Sequence, residues 1–213
     1  MAVLATSLHF DSFRFGLLII HRNQGLPVII KFMKRYYSRS GDDGYTGVLG
    51  EGRLPKSHPR LEALGSIDEA SAALGLARAV SQSPQTTELL LAIQRDLYTV
   101  MAEVAASPEN APRFRIINAD RVTWLEQQID LISTTLEIPR EFTVSGNTLA
   151  GAALDLARTI VRRAERRLAE LLHQGEMVNV ELLRYINRLS SLCYVLEGTE
   201  DAAAGKGHTL AKE

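Results

Sequence analysis

Two stretches of the chain concentrate side chains suited to holding an anion. The first is Ser38-Arg39-Ser40-Gly41-Asp42-Asp43-Gly44-Tyr45-Thr46-Gly47-Val48-Leu49-Gly50-Glu51-Gly52-Arg53-Leu54-Pro55-Lys56, dense in glycine and hydroxyls with basic residues near its end. Glycines let successive backbone N–H groups converge on an anion, hydroxyls add donors, and Arg53 and Lys56 supply charge. The same composition suits an ordinary turn-rich loop, and no Walker-type Gly-Lys-Ser/Thr stands at the required spacing, so glycine content leaves both readings open. The second stretch holds Asp155, Arg158, Arg162, Arg163, Glu165, Arg166 and Arg167. On a helix, Asp155, Arg158, Arg162, Glu165 and Arg166 share a face, whereas Arg163 and Arg167 turn toward another. A stripe of guanidinium groups grips a triphosphate bidentately, each charge-assisted bond being worth about 1.5–3 kcal/mol. The alternative is a solvated face laced by Glu–Arg pairs worth about 0.3–0.5 kcal/mol each. Farther on, Arg184, Asn187, Arg188 and Ser191 lie opposite an apolar stripe, where Asn187 either reads an adenine or ribose edge or simply faces water.

These residues need helices to hold them. From Leu61 onward apolar residues recur at helical spacing, with the breakers between the periodic stretches. Leu61, Leu64, Ile67, Leu74 and Ala77 mark a first helix closing near Ser83-Pro84, and Leu90, Ile93, Leu97, Val100 and Val104 a second closing near Ser107-Pro108. A third carries Val122, Leu125, Ile129 and Ile132 behind Asn118 as N-cap and gives way to Pro139. A fourth starts near Thr148, shows Leu149, Ala153, Leu156, Ile160, Ala164 and Leu168, and ends at Gly175. The fifth has Leu182, Ile186, Leu189, Cys193 and Leu196. No alternating strand pattern of useful length is present, so the predicted fold class is all-α, a five-helix bundle with an irregular glycine-rich N-terminal segment.

With 213 residues the chain suits one compact domain plus a tail. We divide it into an extension over 1–33, a bundle domain over 34–200 and a C-terminal tail over 201–213. The 24 Lys+Arg against 25 Asp+Glu leave a formal net charge of -1, so no global field attracts nucleic acid or an anionic membrane. One cysteine, Cys193, excludes an intrachain disulfide and a thiolate zinc site, points to a reducing compartment, and lies on an apolar stripe where packing is its expected role. The apolar runs Phe15 to Ile20 and Leu26 to Ile30 are broken by His21, Arg22, Asn23 and Gln24 and fall short of the roughly 18 apolar residues of a membrane span. Arg14, Arg22, Lys31, Lys34 and Arg35 against Asp11 resemble a mitochondrial transit peptide. The reading we favour is an upstream extension with Met33 as the start and a cytoplasmic protein.

Taken in order, five segments resemble the PduO-type cobalamin adenosyltransferases from Tyr37 to about Leu196. They are the Ser-Gly-Asp-Asp-Gly stretch, Gly52-Arg53-Leu54-Pro55-Lys56, Glu62-Ala63-Leu64-Gly65-Ser66-Ile67-Asp68-Glu69, Ala157-Arg158-Thr159 leading to Arg162-Arg163-Ala164-Glu165-Arg166, and Asn187-Arg188-Leu189-Ser190. The resemblance implies a trimer of five-helix bundles with ATP between neighbouring subunits, contacted or ordered by Ser38, Ser40, Gly41, Asp42, Gly44, Arg53, Lys56, Arg162, Glu165, Arg166 and Asn187. It implies transfer of the 5′-deoxyadenosyl group of ATP to Co(I) of reduced cobalamin, with magnesium carried by the ATP and no metal site assigned to the protein. Arg158 and Asp68 would pair between helices, and Phe142 would occupy the space of cobalamin's lower axial ligand, its alternative being a core aromatic capping the bundle. Ser191 would lie near the cobalamin. A cob(II)alamin reductase and an adenosylcobalamin-dependent enzyme are the implied partners.

The chain departs from many relatives, which read Pro-Gly-Gly where Val144-Ser145-Gly146-Asn147 stands, threonine where Ser38 stands and aspartate where Ser191 stands. The loss of that aspartate supports a rival reading, a bundle that binds ATP and a corrinoid as carrier or sensor. Glu170-Leu171-Leu172-His173 prompts a second, a di-iron carboxylate bundle, but that site needs two such pairs and two further helix glutamates, and one pair is present. A purely structural or interaction protein leaves the arginine stripe unexplained.

Overall fold

A computed structural model of the chain describes residues 17–20, 28–31, 37–50, 52–137, 139 and 141–212. The chain divides into two compact units, Met1–Asp43 and Gly44–Glu213. In the first, β1 (Leu17–Ile20) pairs antiparallel with β2 (Val28–Lys31), Leu17 opposite Lys31 and Ile20 opposite Val28. These short runs rich in Ile and Val suit strands and are too brief for a helix. The rest of the expected extension over 1–33 lies outside the described residues.

The second unit holds five α-helices: α1 (Pro59–Val80), α2 (Pro84–Ala105), α3 (Ala119–Ser133), α4 (Leu149–His173) and α5 (Val180–Ala203). Each starts where a side chain caps it. His58 accepts from the Arg60 amide, Ser83 from Thr86, Asn118 from Arg121, Thr148 from Gly151 and Asn179 from Glu181. Helix α1 closes at Val80, near Ser83-Pro84 as expected, and that pair also opens α2, because serine suits the N-cap and proline the first helical position. At the far end of α4, Gly175 has φ +73°, and the Glu176 amide reaches the Leu171 carbonyl at 2.9 Å, a left-handed cap that glycine favours.

Strands are confined to small pieces. β3 (Tyr45–Gly47) pairs with β4 (Arg53–Pro55), and β5 (Thr143–Val144) pairs with β6 (Thr209–Leu210). The expected tail over 201–213 therefore begins inside α5 and returns as β6.

Helix α1 packs along α2 and α4, and α5 packs along α4 and α3. The core includes Ile67, Leu74, Leu90, Ile93, Leu97, Leu125, Leu154, Val161, Leu168, Leu182 and Cys193, all fully buried. Small residues recur every seventh position on buried faces of both central helices, Ala63, Ala70 and Ala77 on α1 and Ala150, Ala157 and Ala164 on α4. Each helix thus carries a buried stripe of small side chains, and interaxial distance depends on the side chains at the contact. Among the described residues the buried polar side-chain atoms are paired, apart from Gln94 Oε1. Arg60 donates to the carbonyls of Val104 (2.9 Å), Ala106 (3.3 Å) and Glu176 (2.7 Å) and to the Glu176 carboxylate (2.7 Å), tying α1, α2 and the α4–α5 turn together. Asn179 donates to Glu103 at 3.0 Å and to the Ile117 carbonyl at 3.1 Å.

Candidate functional site

Helix α4 presents its arginines on its outer side. Arg162 is exposed and its guanidinium makes no hydrogen bond or ion pair among the described residues. Arg166, also exposed, donates to the Arg162 carbonyl at 3.0 Å, which lays its side chain back along the helix. The expected division of the helix is partly corrected: Arg163 and Arg167 share with Arg166 and Glu170 one open depression of about 370 Å³. Arg163 pairs with Glu69 of α1, and Arg167 with Glu170 at 3.2 Å. Glu170 is thus engaged by an arginine one turn earlier, and among the described residues no group of three His, Cys, Asp or Glu converges to hold a metal ion.

The expected pairing of Asp68 with Arg158 is not formed within the chain. Arg158 gives Nε and Nη2 to Asp155 Oδ1, each at 2.7 Å, while Asp68 is exposed with no side-chain partner among the described residues. Helix geometry gives the reason. Glu69 meets α4 at Arg163, and Arg158 lies five residues away, roughly 7.5 Å of rise at about 1.5 Å per residue. Asp155, one turn from Arg158 on the same helix, captures it first.

Arg158 and Phe142 do meet at one place. An open cleft of about 410 Å³ is lined by Glu141, Phe142, Thr143, Ser145, Asp155, Arg158, Tyr194 and Glu197. Phe142 is 90% exposed, so it is not an aromatic cap of the core. A phenyl ring left in water at a cleft mouth offers apolar contact to whatever enters. Sequence reasoning missed Glu197. Burial, then repulsion from Asp155 and Asp201, pushes its carboxyl up to about 7 against the pull of Arg158. Asp201, one turn on along α5, is the part of this crowding that sequence shows; Asp155 comes from α4 and depends on packing.

On α5, Asn187 donates to Glu165 Oε1 at 2.6 Å and accepts from Arg188 Nη1 at 2.7 Å, while Arg188 Nε donates to Glu126 of α3 at 2.8 Å. Two expected site residues, Glu165 and Asn187, are therefore joined, and the arginine on the Asn187 oxygen fixes which way its amide points. Ser191 is exposed one turn on. Cys193 is buried, and that burial pushes its thiol up to about 12, so it serves packing.

The glycine-rich segment spans the boundary between the two units. In the first, Ser38 and Ser40 hydroxyls lie 2.7 Å apart, the Asp42 amide donates to the Arg39 carbonyl at 3.2 Å, and Gly41 and Asp42 belong to the same turn. In the second, Gly44 has φ +82° and its carbonyl accepts from the Lys56 amide at 2.8 Å, closing the β3–β4 hairpin. Arg53 donates to the Tyr45 carbonyl at 3.1 Å and lies over its ring, and the Lys56 side chain is exposed.

Comparison with known proteins places the chain. The family profile described as cobalamin adenosyltransferase matches residues 36–199. The corrinoid adenosyltransferase PduO of Citrobacter freundii is 40% identical over 177 residues, 83% of this chain and 52% of that protein. The chain thus spans about half the length of the first curated relatives it matches. A second corrinoid adenosyltransferase of Citrobacter freundii is 35% identical over 179 residues, 81% of this chain and 100% of that protein. Among solved structures, a variant PduO-type ATP:corrinoid adenosyltransferase from Lactobacillus reuteri complexed with cobalamin and ATP aligns with a TM-score of 0.78 and 28% identity over 84% of this chain and 100% of that one. A bundle of five helices with this ordered set of arginine, glycine-rich and asparagine segments, matched over most of its length, belongs to the cobalamin adenosyltransferase family.

Proposed function

We propose that the chain transfers the 5′-deoxyadenosyl group of ATP to the Co(I) of reduced cobalamin. Co(I) supplies an electron pair to C5′, the C5′–O bond breaks, and triphosphate leaves with that bond's electrons. The observation that carries this reading is the cleft that joins exposed Phe142 to Arg158, with Arg162 and Arg166 continuing along the same helix. Such a site has donors for a leaving triphosphate and an apolar ring for a corrin face, and the reaction needs no side-chain nucleophile. The protein's part is orientation and charge stabilisation.

In this reading Arg162 and Arg166 grip phosphate oxygens, Glu165 and Asn187 order the nucleoside end, and Phe142 fills the place of the lower axial ligand. Magnesium enters with the triphosphate and offsets its charge. Ser38, Ser40, Gly41, Asp42, Gly44, Arg53 and Lys56 complete the nucleotide site, in a homotrimer, from a neighbouring copy. Asp68, exposed and with no side-chain partner among the described residues, is available to a neighbouring subunit in the same assembly. A reductase that delivers cob(II)alamin as cob(I)alamin and an acceptor enzyme for the product would flank the reaction. No helix among the described residues is long and apolar enough to cross a membrane; a cytoplasmic location, or a mitochondrial one if residues 1–33 direct the chain there, belongs to the same proposal.

The test is an anaerobic mixture of protein, ATP, magnesium and chemically reduced cob(I)alamin, followed by Co(I) absorbance and by the light sensitivity of the product. ATP-dependent conversion supports the transferase. Binding of both ligands with no conversion refutes it and leaves a carrier or sensor.

A further inference from the structure

The connection from Thr134 to Thr148 is long for a helix-to-helix link and carries Phe142 with little packing of its own. What holds it comes from the other end of α5. The chain turns at Gly205, φ +68°, where the Lys206 amide donates to the Asp201 carbonyl at 2.9 Å, and then runs back across that connection. His208 Nε2 lies 3.0 Å from the Glu137 carbonyl oxygen. Thr209 and Leu210 pair with Val144 and Thr143, and the Thr209 hydroxyl donates to Asn147 Oδ1 at 2.8 Å. The Ala211 amide donates to the carbonyl of Phe142 itself at 2.8 Å. These contacts bracket Phe142 from Glu137 to Asn147, whereas none of these C-terminal residues belongs to the hydrophobic core. The stretch also lies beyond residues 36–199, over which the family profile matches.

We propose that residues 204–212 form a strap that positions Phe142 at the cleft, and that Thr209 and Ala211 are its positioning residues. The strap acts on the backbone at Phe142 and at the two residues after it, and so sets the direction in which the ring leaves the chain. Its part in catalysis rests on the reading that Phe142 displaces the lower axial ligand of cobalamin. Losing it should then resemble losing the phenyl ring, with the ring still present.

Three variants test this: deletion of residues 208–213, Ala211→Pro, which removes the donor to Phe142, and the milder Thr209→Ala. Turnover from cob(II)alamin with reductant should fall about ten-fold or more in the first two, within the roughly hundred-fold that a misplacement of about 1 Å costs, while turnover from pre-reduced cob(I)alamin changes less than about two-fold. Thr209→Ala should fall between these variants and the unaltered protein. In a Phe142→Ala background the deletion should add nothing, because both changes remove one function. Equal losses on the two substrates, or losses that add to that of Phe142→Ala, would overturn the positioning role. Amide hydrogen exchange over 141–147 reads the strap independently of any reaction. Faster exchange in the deletion, with α1–α5 unchanged, supports the strap, and unchanged exchange refutes it. An unaltered protein that fails to convert cob(I)alamin, yet shows the faster exchange on deletion, would instead place the failure in the transferase reading.

Discussion

Replacing Glu197 by glutamine should stabilise the protein, and only at the alkaline end. The Glu197 carboxyl stands in the cleft beside Asp155, with Arg158 as the cation opposing its shift. Burial and the two aspartates raise it from 4.5 to about 7, so between those values the folded chain holds a proton that the unfolded chain has released. Stability from this group is fully present at the acidic end and is lost as pH rises toward 7, after which the charged carboxylate burdens the fold. The whole shift corresponds to about 3 kcal/mol. Solvent screening of this half-exposed group reduces that to about 1–2 kcal/mol. Glu197→Gln keeps the shape and removes the charge, so urea unfolding should show a gain of about 1–2 kcal/mol at pH 8 and under about 0.5 kcal/mol at pH 5. An equal effect at both pH values, or a loss at pH 8, would refute the account of crowded carboxylates around one arginine.

Arg162→Lys should raise the KM for ATP about ten-fold, since lysine lacks the planar fork that meets phosphate oxygens in pairs, while unfolding shifts by less than about 0.5 kcal/mol. Unchanged kinetics with ATP would remove Arg162 from the nucleotide site. Phe142→Ala should lower turnover from cob(II)alamin far more than from pre-reduced cob(I)alamin, and equal losses would mean that the ring merely adds contact area. Arg60→Met should cost about 3–5 kcal/mol in chemical denaturation, because it strands the Val104, Ala106 and Glu176 carbonyls and the Glu176 carboxylate. A loss below about 1 kcal/mol would show that water replaces those bonds.

The helices were legible because their signals are local. Asn118 and Thr148 mark their own caps, Gly175 its own turn, and leucines at helical spacing the buried faces. What sequence could not supply depends on which residue another helix presents at the same level. Asp68 and Glu69 are neighbours in sequence, yet only Glu69 meets α4, and the register of α1 against α4 decides it. Phe142 shows the same limit from the opposite side: a phenylalanine after a proline-containing link reads equally well as core or surface until the loop is placed. The β5–β6 pairing joins residues over sixty positions apart through two-residue strands, too short to show alternation.

The packing of α1 on α4 ties stability to chemistry. Ala157 is fully buried on α4, and Arg158 follows it directly on the outer side. A leucine at 157 adds volume at a fully buried position of α4, and overpacking of this kind costs about 1–3 kcal/mol. The strain is relieved by moving α4 away from α1 or by turning it about its axis. Either movement carries Arg158 and Arg162 with it, since both are fixed to the same rigid helix. Ala157→Leu should therefore raise the KM for ATP as well as lower the unfolding free energy, and Ala164→Leu, near Arg162 and Arg166, should do the same. A variant destabilised by about 2 kcal/mol with unaltered ATP kinetics would show that the arginines tolerate helix displacement, and that their grip on phosphate is set by side-chain reach and not by the packing of the bundle.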